Sequence, residues 1–301
     1  MKRKRLFIIR FLTPAMLCFL FIFLYPAIRT FLMSFFKVGF VTDNMDSWQF
    51  VGMGNYVKLM ESPLFKRSME NVLMIWLLEG VIVLALAMLL AVIITSGVKG
   101  KNFWRAVVYL PHVISAVALA TMWLQYVFNN QYGFFKVLFE ALHLNGLTAF
   151  QWTAPENLFL SMMIAYAFGS VGFYVLILAA GINGISEDYY EAARIEGAGI
   201  FQQWKSITVP LLKDMIKRCI VLYSAGAIGF FVYSTLFSFN TEMATVTPMV
   251  YMYEVVFGNA IGASSSELNV GAGAAVGVII MILVVVVNTV LDKLVRSDDQ
   301  D

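Results

Sequence analysis

Few residues in this chain are placed to do chemistry. His112 and His143, and likewise Cys18 and Cys219, stand far apart with no ligand spacing around them, so neither a metal centre nor a disulfide framework follows. No nucleophile, base and orienting group fall into a catalytic pattern, and no cofactor is expected. The nearest fragment of a P-loop, Gly100-Lys101, has Thr95 where the earlier glycine belongs and Asn102 where Ser or Thr belongs. The chain is therefore not expected to hydrolyse ATP by that mechanism. One carboxylate does stand out: Glu79 has apolar residues on both sides. At membrane depth a carboxylate is costly unless it is paired, protonated or open to a water-filled cavity, which makes Glu79 a functional candidate, with an interhelical hydrogen bond as the structural alternative.

The other concentration of polar chemistry runs from Gly181 to Lys213, GINGISEDYYEAARIEGAGIFQQWKSITVPLLK, where carboxylates, bases and amides interrupt apolar sequence. Ser186, Glu187 and Asp188 offer a capping side chain and negative charge to a helix start near Asp188. That helix carries Glu191 and Arg194 at i,i+3, while Tyr189, Ala192, Ala193 and Glu196 fall on one side. Gly197 offers the left-handed conformation that ends it, and Gly199 loosens the turn. A second helix is expected from about Ile200 to Thr208, with Phe201, Trp204 and Ile207 as its apolar stripe and Pro210 as its stop.

These residues need elements to hold them, and the composition says which kind. With 60% hydrophobic and 13% charged residues in 301, the chain carries more apolar surface than a soluble fold can bury. Six largely apolar blocks are long enough to span a membrane: Phe11–Phe35, Val72–Ile94, Ala106–Phe128, Leu158–Ile182, Cys219–Phe239 and Val270–Leu291. The first follows Met1-Lys-Arg-Lys-Arg and is too long for the apolar region of a cleaved signal peptide, so it reads as a retained span. The expected architecture is an all-α integral membrane protein: a basic N-terminus at 1–10, six spans within 11–292 with a cytoplasmic loop at 183–213, and a tail at 293–301.

Orientation follows from the bases. With six spans and the N-terminus inside, fifteen of the 21 lysines and arginines fall on the inner side, as the positive-inside rule requires. Both termini and the polar loop are then cytoplasmic. The net charge of +2 reflects this sorting and gives no reason to propose a nucleic-acid partner.

The loop resembles the cytoplasmic coupling loop of the membrane subunits of ABC importers: Glu-Ala-Ala, three residues, Gly, then an aromatic-rich helix ending before Pro. Here Glu191, Ala192, Ala193, Gly197, Ala198, Trp204, Ile207 and Pro210 carry the pattern, with Glu196 beside it. Leu24-Tyr25-Pro26, Phe50-Val51-Gly52-Met53-Gly54-Asn55-Tyr56 and Leu110-Pro111-His112-Val113-Ile114-Ser115 are similar to runs in carbohydrate-importer permeases. The resemblance implies the type I, maltose-type permease fold in a bacterial cell membrane, multi-pass and in contact with lipid. It implies a loop gripped by an ATPase, a second permease subunit, two ATPase subunits or domains and an extracellular solute-binding protein, with a carbohydrate as cargo. The outer stretch Phe134–Leu144 looks like a surface helix of that family, one that supports the docking face for the binding protein. A secondary transporter with Glu79 as its coupling carboxylate is the alternative.

Within the spans, Pro111 is expected to bend the third, with backbone exposed along a pathway as the alternative to a mere bend. Glu79, Ser170, Tyr223 and Tyr233 are the residues proposed to line that pathway, because aromatic faces and hydroxyls suit carbohydrate. Gly169 and Gly172 should let helices approach closely, and the stripe Gly271, Ala272, Gly273, Ala274 should do the same for a partner helix, with a second permease as one candidate.

Overall fold

The computed structural model describes residues 2–238, 244–258 and 268–296, with side chains described from Ile9 onward except at 292 and 294–296. Its regular secondary structure is helical apart from one two-residue strand pair, with turns and irregular segments between the helices. Among the described residues, four helices are long and apolar enough to cross a membrane: α1 (Ile9–Met33), α2 (Pro63–Thr95), α5 (Leu158–Asn183) and Val270–Leu291, the apolar part of α11 (Val270–Arg296). A fifth candidate is α3 (Lys101–Val113) with α4 (Ala116–Val127), two helices set at 95°. Six spans were expected, the third of them bent at Pro111, and two of the six blocks prove to be broken.

The third block breaks at Ile114 and Ser115, whose backbones are extended, rather than at Pro111, which sits inside α3 near its end. The proline lacks an N–H and its ring crowds the preceding turn, so the helix can end within a turn of it. The fifth block divides into α8 (Lys213–Ile228) and α9 (Val232–Phe237), each shorter than the roughly 20 residues a span needs. The chain leaves helical geometry at Phe231 (φ −128°). The interruption is repaired by hydroxyls and an amide: Thr247 Oγ1 donates to the Phe230 carbonyl at 2.6 Å, Ser234 Oγ to Thr245 at 2.7 Å and Asn71 Nδ2 to Val246 at 2.8 Å. Interrupted helices persist in a bilayer only where the freed backbone groups are satisfied in this way.

The chain forms two compact units. The first comprises residues 1–66 and 248–282. Its small core joins Met33, Val38, Val270 and Ala274, with Phe36, Trp48 and Val256 of α10 (Pro248–Phe257) packed on them. β1 (Phe36–Lys37) pairs antiparallel with β2 (Gln49–Phe50) in the register Phe36 to Phe50. Asn55 pins this region from a buried position: its Nδ2 donates to the carbonyls of Ser34 (2.8 Å) and Phe36 (2.9 Å). Tyr56 donates to Ser34 Oγ at 2.7 Å, so the Asn-Tyr pair of the outer run has a structural role. The glycines at the start of α11 are used within the same unit. A Cβ on Gly271 would lie 1.9 Å from the Phe36 carbonyl oxygen, and one on Gly273 would lie 2.2 Å from Val256. Gly271 and Gly273 of this stripe thus meet residues of the chain itself.

The second unit comprises 67–247 and 283–301, and α5 is its axis. Twelve residues of α5 are buried on all sides, against α2, α3, α4, α8 and α9. Gly172 permits the approach of α3, since a Cβ there would sit 2.3 Å from the Val108 carbonyl oxygen. Gly169 does the same beside Leu119 and the Tyr233 hydroxyl. The apolar stretch after α4 folds onto this unit, where Trp152 packs against Phe135 (5.1 Å), Phe150 (4.6 Å) and Phe128 (5.5 Å).

Candidate functional site

Two places in the second unit carry the residues singled out from sequence. The first is the polar loop. α6 (Glu187–Ile195) starts where the sequence places it: Ser186 is the N-cap, its Oγ accepting from the Asp188 N–H at 3.4 Å, with Glu187 and Asp188 in the first turn. The helix ends at Gly197, whose φ is +78°. Gly197 N–H donates to the Arg194 carbonyl at 3.0 Å and Ala198 N–H to Ala193 at 2.9 Å. This pair of bonds is the Schellman closure, which satisfies carbonyls that a helix end leaves free and requires the left-handed residue. Arg194 pairs with Glu187, not with Glu191, and its Nε donates to the Tyr190 carbonyl at 3.3 Å. Both partners of the ion pair are exposed, so it adds little to stability, about 0–1 kcal/mol.

The second half of the loop differs from expectation at its end. α7 (Ile200–Gln203) runs into a π turn at Trp204–Thr208 and then a helical turn Val209–Leu211 that contains Pro210. Pro210 therefore does not stop the helix. The widened turn just upstream shifts the hydrogen-bond register, and Leu212 N–H resumes bonding to Thr208 at 3.0 Å. α8 begins at once at Lys213.

Polar bonds tie the two halves together. Tyr190 Oη lies 3.0 Å from Thr208 Oγ1, and Gln203 Nε2 donates to the Ala198 carbonyl at 2.8 Å. Leu212 is buried, and a Cβ on Gly181 would meet its Cδ2 at 2.7 Å, which fixes the stems of the loop. Of the expected docking residues, Glu191, Ala192, Glu196, Gly197 and Pro210 are exposed, while Ala193 and Trp204 are half-buried. Trp204 packs on Phe201 at 5.5 Å between ring centroids. Three large apolar residues project furthest: Ile195 is 86% exposed, Ile200 76% and Phe201 73%. Ile195 was not singled out from sequence. Its signal was there, as an apolar side chain between Arg194 and Glu196 in a segment with no core to join.

The second place is Glu79. It closes a π turn, Ile75–Glu79, inside α2 and is 1% exposed. Neither of its carboxyl oxygens has a hydrogen-bond partner among the described residues. The groups within its electrostatic reach are the hydroxyls of Tyr166, Tyr223 and Tyr233. Tyr223 donates to the Ile75 carbonyl at 2.9 Å and packs over Gly80, where a Cβ would lie 2.7 Å from its ring. Tyr166 and Tyr233 meet edge to face at 5.4 Å. Three of the four expected pathway residues, Glu79, Tyr223 and Tyr233, thus gather in one cluster. Tyr166 completes it and was missed, because a lone tyrosine in an apolar span has no local signal. Ser170 lies one turn from Tyr166 on α5 and donates to its own helix at Ala167, 3.3 Å away. All four expected residues are buried in this conformation. Among the described residues no three His, Cys, Asp or Glu side chains converge as metal ligands.

The chain matches, over residues 83–297, the family described as binding-protein-dependent transport system inner membrane component. It is 28% identical over 222 residues to the diacetylchitobiose uptake system permease protein of Streptomyces coelicolor, covering 70% of this chain but only 63% of that protein. It is 29% identical to the trehalose/maltose transport system permease protein of Thermococcus litoralis, over 68% of each chain. A third relative is the arabinooligosaccharides transport system permease protein of Bacillus subtilis, 27% identical over 84% of this chain and 81% of that one. In fold it is similar to a chain of a bacterial ABC transporter involved in the import of the acidic polysaccharide alginate, with TM-score 0.81, 23% identity and coverage of 99% and 97%.

Proposed function

The chain belongs to the family of binding-protein-dependent transport system inner membrane components, and on that premise we propose that it is the translocating subunit of a type I ABC importer for a carbohydrate or similar polar solute. In this reading six spans cross the membrane, with the bent pair α3–α4 as the third and the divided segment from α8 onward as the fifth. Both termini and the loop at 183–213 are cytoplasmic. The partners are a second permease, two ATPase subunits or domains, an extracellular solute-binding protein and the surrounding lipid.

The observation that carries the reading is the apolar edge of the loop. Ile195, Ile200 and Phe201 stand exposed on a segment whose ends and interior are otherwise closed by caps and hydrogen bonds. Exposed apolar side chains on a rigid, polar-rimmed element are what a protein interface needs. An ATPase cleft is the partner the family membership supplies, with Glu191, Ala192, Ala193, Glu196, Gly197, Trp204 and Pro210 forming and presenting the docked element. ATP binding closes the ATPase pair, the loop is carried inward, and the spans pass from inward-open to outward-open. Cargo released by the binding protein enters, and hydrolysis resets the cycle. A sugar is favoured because the relatives named above carry diacetylchitobiose, trehalose/maltose and arabinooligosaccharides in their names.

The test is purification of the detergent-solubilised complex from its native membrane, comparing wild type with Gly197→Pro. Co-purification of an ATPase and a second permease with the wild type, and loss of the ATPase alone from the variant, is the expected result. A chain that emerges without an ATPase in either sample overturns the reading and leaves secondary transport through Glu79 as its replacement.

A further inference from the structure

A buried carboxyl with no partner is an expensive thing for a membrane helix to keep. Among the described residues, neither oxygen of Glu79 has a hydrogen-bond partner at 1% exposure, and no Lys, Arg or His contributes to its electrostatic surroundings. What surrounds it is aromatic and hydroxylic: Tyr166, Tyr223 and Tyr233. Tyr223 has already committed its hydroxyl to Ile75, and the Tyr233 hydroxyl lies against Gly169. Of the three tyrosines, Tyr166 alone is half-buried rather than buried. The backbone at the carboxyl is a π turn, a form that recurs at functional sites.

We propose that Glu79 is the cargo-recognising carboxyl of the pathway and that, with Tyr166 and Tyr233, it selects an uncharged polyhydroxylated solute over an acidic one. The proposal rests on the importer reading and adds to it the charge class of the cargo. Two acceptor oxygens side by side match two neighbouring hydroxyl donors of a sugar, and tyrosine faces pack on its C–H surface. An acidic sugar would bring a carboxylate to a place where, among the described residues, no cation stands to balance it, at a depth where an unpaired charge is costly. In the conformation described the tyrosines close over Glu79, and the inward-to-outward rearrangement is the step that opens the cluster at Tyr166.

The experiment is uptake into proteoliposomes by the complete importer, with permease pair, ATPase and binding protein, using two panels. One holds neutral di- and trisaccharides (maltose, trehalose, diacetylchitobiose, arabinotriose), the other uronate di- and trisaccharides. The wild type is expected to carry members of the neutral panel alone, and uptake of uronates at equal efficiency overturns the proposal. Glu79→Gln replaces one acceptor by a donor. It is expected to assemble and to keep ATP hydrolysis stimulated by the loaded binding protein, while the half-saturating concentration for the neutral cargo rises about tenfold, the effect of one lost hydrogen bond of ordinary strength. Unchanged half-saturation with intact assembly overturns the proposal. If Glu79→Gln fails to assemble, Glu79→Asp is read the same way, because it keeps the carboxyl and withdraws it by one methylene. If no ATPase accompanies the chain, the importer reading has failed and the cargo proposal is still decided. Titration of the purified chain with both panels, followed through the fluorescence of Trp76, whose Nε1 donates to Ser224 beside Tyr223, shows binding of neutral sugars only or overturns it.

Discussion

The Tyr190 hydroxyl lies 3.0 Å from the Thr208 hydroxyl, joining the two halves of the loop at 183–213 across the turn at Gly197. Tyr190→Phe removes that bond and leaves the ring. The loss is about 1 kcal/mol of local stability, so amide hydrogen exchange across 187–211 should quicken several-fold while the melting temperature of the whole chain moves little. Uniform exchange in both proteins would show that the bond does not hold the halves together.

Ile195→Asp and Phe201→Asp place charge on side chains that touch little of this chain, being 86% and 73% exposed. Expression and thermal stability should stay within about 0.5 kcal/mol of wild type, the usual range for surface changes. Co-purification of the ATPase should drop at least tenfold. Retained ATPase with either variant removes the apolar edge from the interface.

Gly271→Ala and Gly277→Ala are a matched pair on α11. The first puts a methyl 1.9 Å from the Phe36 carbonyl oxygen, the second no closer than 3.7 Å to Met252. Overpacking on this scale costs about 1–3 kcal/mol or more. Gly271→Ala should lower the melting temperature in detergent by several degrees or abolish accumulation, and Gly277→Ala should behave as wild type. Equal melting curves for the two would contradict the packing described for this stripe.

Thr247→Val keeps the volume of the side chain and removes the donor to the Phe230 carbonyl. A buried carbonyl left unsatisfied costs about 1–3 kcal/mol, and the loss falls at the break between α8 and α9. A fall in melting temperature with Thr247→Val, restored by Thr247→Ser, is the expected pattern. No change in either would mean that the break does not depend on this hydroxyl.

Orientation can be checked by single cysteines at Gly197 and Gly146 in a background with Cys18 and Cys219 replaced by serine. A membrane-impermeant maleimide added to intact cells should label position 146 and leave 197 unmodified until the membrane is opened. Labelling in the reverse order would invert the topology.

Much of this could be read from sequence because it is local. Ser186 as a cap and Gly197 as a helix stop depend on bonds within a few residues, and both appear as expected. The apolar length of α1, α2, α5 and α11 is likewise a property of each segment alone. What could not be read depends on partners far along the chain. The break at Phe231 stands because Thr247, 17 residues on, takes the Phe230 carbonyl, and Asn71 reaches Val246 across 175 residues. Hydrophobicity is continuous through both the 95° bend and this break, so it conceals them. The cluster at Glu79 is similar: the carboxylate was visible, whereas Tyr166, 87 positions away in the chain, reaches it only through the packing of α5 on α2.

Pro210 offers a last consequence, in mechanical terms. Because the helix passes through it and α8 follows after a single residue, a push delivered at Phe201 travels along a nearly unbroken strut to Cys219. The most compliant point of that strut is the widened turn at Trp204–Thr208, where Thr208 is both buried and bonded to Tyr190. In the importer proposed above, a load on the loop would be resisted at this turn by α6 through Tyr190, and would reach α8 as displacement rather than be absorbed as bending.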